Sequence, residues 1–152
     1  MKTQEAGNKA GPRFSVIIPA YNSAATLARA VESVLQQSWP AHEVIIIDDG
    51  SSDDTLDVAR GFGDPVRVIH QANAGVSVAR NRGAEAATGD WLAFLDADDW
   101  YYPDRLRWHA EWIASDDGLD FLTGDYEYRH DDGSLIGTSM AVHESGRVML
   151  EK

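Results

Sequence analysis

Apolar residues of this chain fall in short runs separated by polar stretches that contain glycine or proline. Short runs rich in β-branched and aromatic residues are typical of strands, and runs with no polar face are typical of strands covered on both sides. Such runs predict four strands, at 14–18, 44–47, 66–69 and 91–95. The segments between them are long enough for a helix each.

Apolar residues at helical spacing predict these connecting helices. The apolar face of the first helix is expected to consist of Leu27, Val31, Val34 and Leu35. Polar residues suited to capping precede the first two helices, namely Asn22 or Ser23 and Ser52 or Asp53. A third helix is predicted at 76–87, and Pro103 suits the first turn of a fourth.

The remaining pattern predicts more strands. A fifth strand is expected at 121–123. A β-hairpin is also expected, with strands at 126–129 and 135–136 joined by a turn at 131–134. Alternating strands and helices with short connections predict an α/β fold with a mostly parallel sheet flanked by helices. We expect a flexible tail at 1–12 and one domain at 13–152. Ligands of such folds bind beyond the carboxyl ends of the strands.

Charge and composition narrow the function. The net charge of −12 argues against a nucleic-acid partner, because phosphate contacts need clustered Lys and Arg. The chain has no cysteine and no apolar run of membrane-spanning length, which predicts a cytoplasmic protein or one at the inner face of a membrane. Its only lysines are Lys2, Lys9 and Lys152. Phosphate must therefore be met by a metal, arginine, backbone N–H groups or helix ends.

Acidic clusters follow two of the predicted strands, at 48–49 and 96–99. Like charges that share one edge of a sheet repel each other, and a divalent cation with oxygen ligands offsets that repulsion. If the fourth strand continues, Asp96 and Asp98 point the same way. One then reaches a metal and the other a ligand hydroxyl or a metal-bound water. Asp99 is expected to be a turn residue.

Other side chains at the same edge suit a nucleotide. Tyr21 can stack on a base, and Asp48 at a strand end can accept hydrogen bonds from a base or ribose. Gly75 opens the third helix, whose N–H groups can face an anion. Arg80 and Arg82 on that helix are candidates for a diphosphate contact. Each of these residues also has a purely structural alternative: it packs at the edge of the sheet, forms a turn, or lies on a solvated surface.

Four segments together resemble family 2 glycosyltransferases of the GT-A (Rossmann-like) fold. They are SVIIPAYN at 15–22, EVIIIDDGSSDDT at 43–55, NAG at 73–75 with ARN at 79–81, and GD at 89–90 through LDADD at 95–99 to Pro103. The resemblance implies a nucleotide-diphosphate sugar donor, a divalent cation (Mn²⁺ or Mg²⁺) and transfer with inversion. A UDP-sugar is the expected donor, and the acceptor is a carbohydrate, lipid or protein.

The resemblance also implies roles for particular residues. Tyr21 lies against the base and Asp48 bonds it, while Asp96 faces the ribose or a metal-bound water and Asp98 binds the metal. Arg80 becomes a secondary phosphate contact. The donor site as a whole comprises Pro19, Ala20, Tyr21, Asn22, Asp48, Gly75, Arg80, Asp96 and Ala97, and the metal site Asp96 and Asp98.

The chain departs from the family pattern in its second half. No motif for the carboxylate base follows, so no catalytic base is assigned and the sequence is expected to be truncated on the acceptor side. The alternative is a non-catalytic fragment that binds the donor. A receiver domain needs an internal lysine, which this chain does not have. A dinucleotide-binding dehydrogenase needs G-x-G-x-x-G after the first strand, where this chain has a different sequence. A nucleotidyltransferase needs a lysine-bearing glycine-rich loop there.

Overall fold

A computed structural model of the chain describes residues 11–122, 127–130 and 132–138. The chain divides into two units, Met1–Ser115 and Asp116–Lys152. Most of the predicted tail, together with Thr123, Tyr126 and Asp131, lies outside the described residues.

The first unit alternates strands and helices as the sequence predicts. Its elements are β1 (Phe14–Ala20), α1 (Leu27–Leu35), β2 (Glu43–Asp48), α2 (Thr55–Arg60), β3 (Val66–His70), α3 (Val76–Ala86), β4 (Trp91–Phe94) and α4 (Arg105–Ser115). The strands form one sheet in the order β3-β2-β1-β4, and every pairing in it is parallel. The predicted α/β architecture is confirmed.

Both faces of the sheet are covered at β1 and β2, which explains their apolar runs, whereas Leu92 and Phe94 of β4 are each 45% exposed. Alternate residues of these strands, such as Val16 and Val44, join one core with residues of α1, α2 and α4. The intervening Ile45 and Ile47 pack with Ala79 of α3 on the other face. Every residue of β1 and β2 is buried. The sheet is therefore a rigid platform, and its carboxyl edge is fixed in position.

Helix α3 approaches the sheet closely because Gly83 faces β1. A Cβ at Gly83 would lie 2.4 Å from Ile17 Cγ2 and 3.2 Å from Cγ1. We predict that Gly83→Ala lowers the free energy of unfolding by about 1–2 kcal/mol, since overpacking outweighs the ~1 kcal/mol gained in helix propensity. Urea unfolding measures this. Gly63→Ala is the control, because a Cβ there meets nothing within 4 Å; equal stability of the two variants would disprove the close contact.

Two expectations for α1 are wrong. The helix begins at Leu27 after Thr26, not at a cap on Asn22 or Ser23, because the chain first turns through Ser23, whose carbonyl accepts from the N–H groups of Thr26 and Leu27. Leu35 is 43% exposed and lies off the buried face. Helix α2 likewise begins later, after Asp54, although the Asp53 carboxylate does accept from the Thr55 N–H.

The second unit contains the predicted hairpin. Strands β5 (Glu127–Arg129) and β6 (Leu135–Thr138) pair antiparallel with an irregular register near Tyr128. Gly133 adopts a φ of +83° between them, where a left-handed conformation suits glycine. Phe121 and Leu122 belong to no strand, so the fifth strand expected there is not formed in its described part.

Candidate functional site

The carboxyl ends of all four parallel strands lie along one edge of the sheet, here called the rim. Successive strands meet in register there, with Ala20 opposite Asp48 and Asp48 opposite His70. From β1 the chain proceeds to β2 on one side, while β4 pairs on the other side of β1. Such a change of direction leaves a crevice between the loops that follow the two strands, and ligands of open α/β sheets bind there. The loops in question begin at Tyr21 and at Leu95.

The acidic segment 96–99 is a tight turn and does not continue β4. The strand ends at Phe94, and the N–H of Asp99 donates to the carbonyl of Asp96 at 3.0 Å. Ala97 at the centre of the turn is buried. The alternation expected from a continued strand therefore does not apply, and Asp96 and Asp98 instead both belong to this turn.

The carboxylates of Asp96 and Asp98 both lie within electrostatic reach of Asp99. Burial, and then the neighbouring charges of Asp98 and Asp96, raise the pKa of Asp99. The side chain of Asp98 is exposed and has no hydrogen-bond or ion-pair partner among residues 11–122, 127–130 and 132–138. An unpaired carboxylate beside two others is an environment that favours a cation.

The carboxylates of the acidic turn are candidate ligands for a divalent cation. Within the described part of the chain, no three Asp, Glu, His or Cys side chains form a complete metal-holding group. A cation that is shared with a diphosphate needs fewer protein ligands, because Mg²⁺ is usually held by one or two carboxylates plus substrate phosphates and water. The donor set here is hard carboxylate oxygen. The residues therefore fit a cation that arrives with its phosphate ligand.

Arg80 of α3 reaches the acidic turn from the helix. Its Nη2 donates to Asp96 Oδ1 at 2.5 Å, and both side chains are partly exposed. The sequence placed both residues in the donor site but did not predict that they pair. Arg82, the other candidate arginine, is exposed on the same helix. The guanidinium of Arg80 is therefore the positive charge nearest to Asp96 when no other cation is present.

The turn is also held from α1, by a residue that sequence reasoning missed. Arg29 donates from Nη2 to the carbonyl oxygen of Asp98 at 3.0 Å, and its guanidinium lies 4.1 Å from the ring centre of Trp100. The buried Tyr101 donates its hydroxyl hydrogen to the carbonyl of Phe94. These contacts fix the backbone of the turn and leave the carboxylate of Asp98 free to bind. An arginine one helix away carries no local sequence signal for this role.

The segment after β1 joins the segment after β2 through Asn22. Its side-chain oxygen accepts from the Ser52 N–H at 2.8 Å, and its own N–H donates to Ser51 Oγ at 3.0 Å. Asn22 has a φ of +48°, which is uncommon outside glycine and tolerated best by asparagine and aspartate. Tyr21 is 52% exposed beside it, as a residue that contacts a ligand requires. Pro19 and Ala20 are buried in β1.

Asp48, the predicted base contact, is fully buried at the end of β2. Its Oδ2 lies 2.6 Å from Nδ1 of His70 on the adjacent strand, and its Oδ1 accepts weakly from the Ser51 N–H at 3.4 Å. His70 is 52% exposed. The sequence did not suggest this pair, because only the strand register brings the two residues together.

Asp49 fixes the segment that leads into α3. Its carboxylate accepts from Gln71 Nε2 at 2.6 Å and from the N–H groups of Ala74 and Gly75 at 2.9 and 2.8 Å. Burial alone would raise the pKa of Asp49, but these hydrogen bonds outweigh it and lower the pKa. The Gly75 N–H, expected near the donor, is thus satisfied within the protein. The φ of +92° at Gly75 requires glycine there.

Comparisons with known proteins agree on one family. The family model described as glycosyl transferase family 2 matches residues 15–143. The chain is 51% identical over 94 residues to YibD of Escherichia coli, an uncharacterised glycosyltransferase, covering 60% of this chain and 27% of that protein. It is 40% identical over 121 residues to a PGL/p-HBAD biosynthesis glycosyltransferase of Mycobacterium tuberculosis, covering 76% of this chain and 47% of that one.

Solved structures of S. aureus TarS are similar in fold. At 30% identity they cover 68% of this chain, and the complex with UDP has a TM-score of 0.64 over 32% of its own length. The complex with UDP-GlcNAc has the same score over 31%. The predicted GT-A class is confirmed by this likeness. The chain spans about half or less of the length of these relatives. Among the residues that the structure describes, every helix is too short or too polar to traverse a bilayer.

Proposed function

Because the chain belongs to glycosyl transferase family 2, we propose that it binds a nucleotide-diphosphate sugar at the rim, through a divalent cation, for transfer of the sugar with inversion. The observation that carries the proposal is the exposed, unpaired carboxylate of Asp98, held beside Asp96 at the crevice between β1 and β4. The backbone of the turn is fixed by Arg29 and Tyr101. A cation bound there would have the carboxylate oxygens of Asp98 and Asp96 as protein ligands, and it would replace the guanidinium of Arg80 as the positive charge beside Asp96.

The residues of the rim have distinct tasks in this proposal. Asp98 holds Mn²⁺ or Mg²⁺, and Asp96 orients the ribose or a metal-bound water. When bound, the cation neutralises charge on the departing nucleotide diphosphate, which is a Lewis-acid role. With a cation offsetting the charge of Asp96, Arg80 would be able to leave that carboxylate and contact a phosphate oxygen. The exposed ring of Tyr21 supplies an aromatic surface for the base.

A uridine diphosphate sugar is the proposed donor. TarS, whose structures with UDP and UDP-GlcNAc are similar to this one, supports that choice. The acceptor is proposed to be a carbohydrate, a lipid or a protein, and a cytoplasmic location stays a prediction. The relatives have longer chains than this one, and the complete transfer activity is proposed for a protein of their length.

We predict that UDP binds to this chain when Mn²⁺ or Mg²⁺ is present and loses most of its affinity in EDTA. Calorimetric titration with UDP in each condition measures the difference. The reason is electrostatic, because the diphosphate must otherwise approach the carboxylates of the acidic turn without a counter-ion. Equal binding with and without the cation would contradict the proposed metal role. Failure of UDP to bind in both conditions would contradict the choice of donor.

A further inference from the structure

His70, not Asp48, is the side chain that a ligand meets at the end of β2 and β3. The two residues are direct neighbours, each the last residue of its strand. The carboxylate of Asp48 has no exposed surface, whereas half of the His70 ring is exposed. A base at this part of the rim therefore contacts imidazole unless His70 first moves away.

The pairing with Asp48 fixes which nitrogen of His70 carries hydrogen. An ionised carboxylate only accepts hydrogen bonds, so Nδ1 must donate across the 2.6 Å to Asp48 Oδ2. In neutral imidazole the other nitrogen, Nε2, is then an acceptor. Among the described residues, nothing donates to Nε2. With neutral imidazole the rim thus presents an unused acceptor, held in one tautomer by a buried carboxylate.

The position of this acceptor matches the base end of a nucleotide. Neighbouring strands lie about 4.8 Å apart, so β3 lies roughly 14 Å along the rim from β4 in the order β3-β2-β1-β4. A nucleoside diphosphate with its phosphates at the acidic turn after β4 extends its base towards β2 and β3. Tyr21, which follows β1, lies between the two ends.

We propose that His70, oriented by Asp48, accepts a hydrogen bond from a ring N–H of the nucleobase and so selects uracil over cytosine. Uracil has N–H at ring position three, whereas the same nitrogen of cytosine is an acceptor and would face the lone pair of Nε2. Thymine and guanine, which also carry a ring N–H, belong to the accepted class. The inference rests on the proposed donor site, and it makes Asp48 a positioning residue there.

Calorimetry with UDP and CDP, both in Mn²⁺, tests this selection. Wild type is expected to prefer UDP by about 10-fold or more, because CDP leaves the Nε2 acceptor of His70 unsatisfied and faces it with a second lone pair. In His70→Ala the affinity for UDP falls by a similar factor while that for CDP does not, so the preference disappears. His42→Ala is the matched control, an exposed histidine just before the other end of β2, and it should retain the wild-type preference.

Other outcomes overturn the inference. Tighter UDP binding by His70→Ala would mean that the ring only covers Asp48, and an unchanged preference or equal losses for both nucleotides would remove its role in selection. NMR of the imidazole nitrogens in the wild-type protein gives a second readout that needs no variant. UDP should shift the Nε2 resonance of His70, whereas a resonance unmoved by saturating UDP would contradict the contact. If wild type binds no UDP with Mn²⁺, the proposed function itself fails; if it binds UDP without these effects, only the role of His70 fails.

Discussion

Asp98→Ala is expected to abolish cation-dependent binding of UDP. Substitution of residues that merely support a metal ligand typically costs 10–100-fold in affinity, so loss of the ligand itself should cost about 100-fold or more. The effect should be local, because the Asp98 side chain is exposed and Arg29 holds the turn by the Asp98 carbonyl oxygen, which alanine keeps. Calorimetric titration with UDP in Mn²⁺ measures the loss.

Asp57→Ala is the matched control, since Asp57 is an exposed aspartate on α2. It removes one negative charge as Asp98→Ala does, so a general effect of net charge would appear in both variants. We expect wild-type affinity for Asp57→Ala. Comparable losses in the two variants would show that charge alone, and not a ligand position, governs the binding of UDP.

Glu43→Ala is expected to cause the largest loss of stability of the variants proposed. Glu43 is the first residue of β2, at the opposite edge of the sheet from the rim. Glu43 Oε1 accepts from Ser15 Oγ at 2.8 Å and from the Thr88 N–H and hydroxyl at 2.6 and 2.7 Å, and Oε2 accepts from Arg67 Nη1 at 2.7 Å. The carboxylate thereby connects β1, β2, β3 and the segment before β4. Removing this acceptor leaves the donors of Ser15 and Thr88 without their partner, at about 1–3 kcal/mol for each buried group, which urea unfolding resolves. Glu32→Ala, at an exposed site on α1, should change stability little.

The same carboxylate gives the protein a defined pH dependence. Burial alone would raise the pKa of Glu43, but the hydrogen bonds from Thr88, Ser15 and Arg67 outweigh it and lower the pKa from 4.5 to about 2. A depressed folded-state pKa stabilises the protein above the unfolded value. This contribution, about 3 kcal/mol, is therefore complete above pH 4.5 and is lost as the pH falls towards 2. Glu43→Gln should flatten the stability curve across that window; an identical curve would contradict the assignment.

The parallel sheet could be predicted because each of its strands has a recognisable local sequence pattern. The apolar runs of β1 and β2 reflect burial on both faces, and the small residues of α3 reflect its close approach to the sheet. The beginning of α1 could not be predicted in the same way. Asn22 and Ser23 are good cap residues, yet their groups are used in a turn and in contacts with Ser51 and Ser52, which only the folded chain brings near.

The places of the candidate site residues in the fold could be predicted better than their contacts. Asp96 and Asp98 were expected to point the same way from a continued strand, but they lie in a turn that the residue types alone do not distinguish from such a strand. The pairs Asp48–His70 and Arg80–Asp96 join residues distant in sequence. Their partners follow from strand register and helix packing, for which a single sequence holds no signal.

A crystal structure of the chain with UDP and Mn²⁺, with manganese located by its anomalous scattering, tests the central claim most directly. We predict manganese bound to the carboxylate of Asp98 and to the diphosphate, with Arg80 no longer paired to Asp96 and the uracil beside Tyr21. Manganese bound elsewhere, or UDP bound away from the carboxyl ends of β1 and β4, would contradict it.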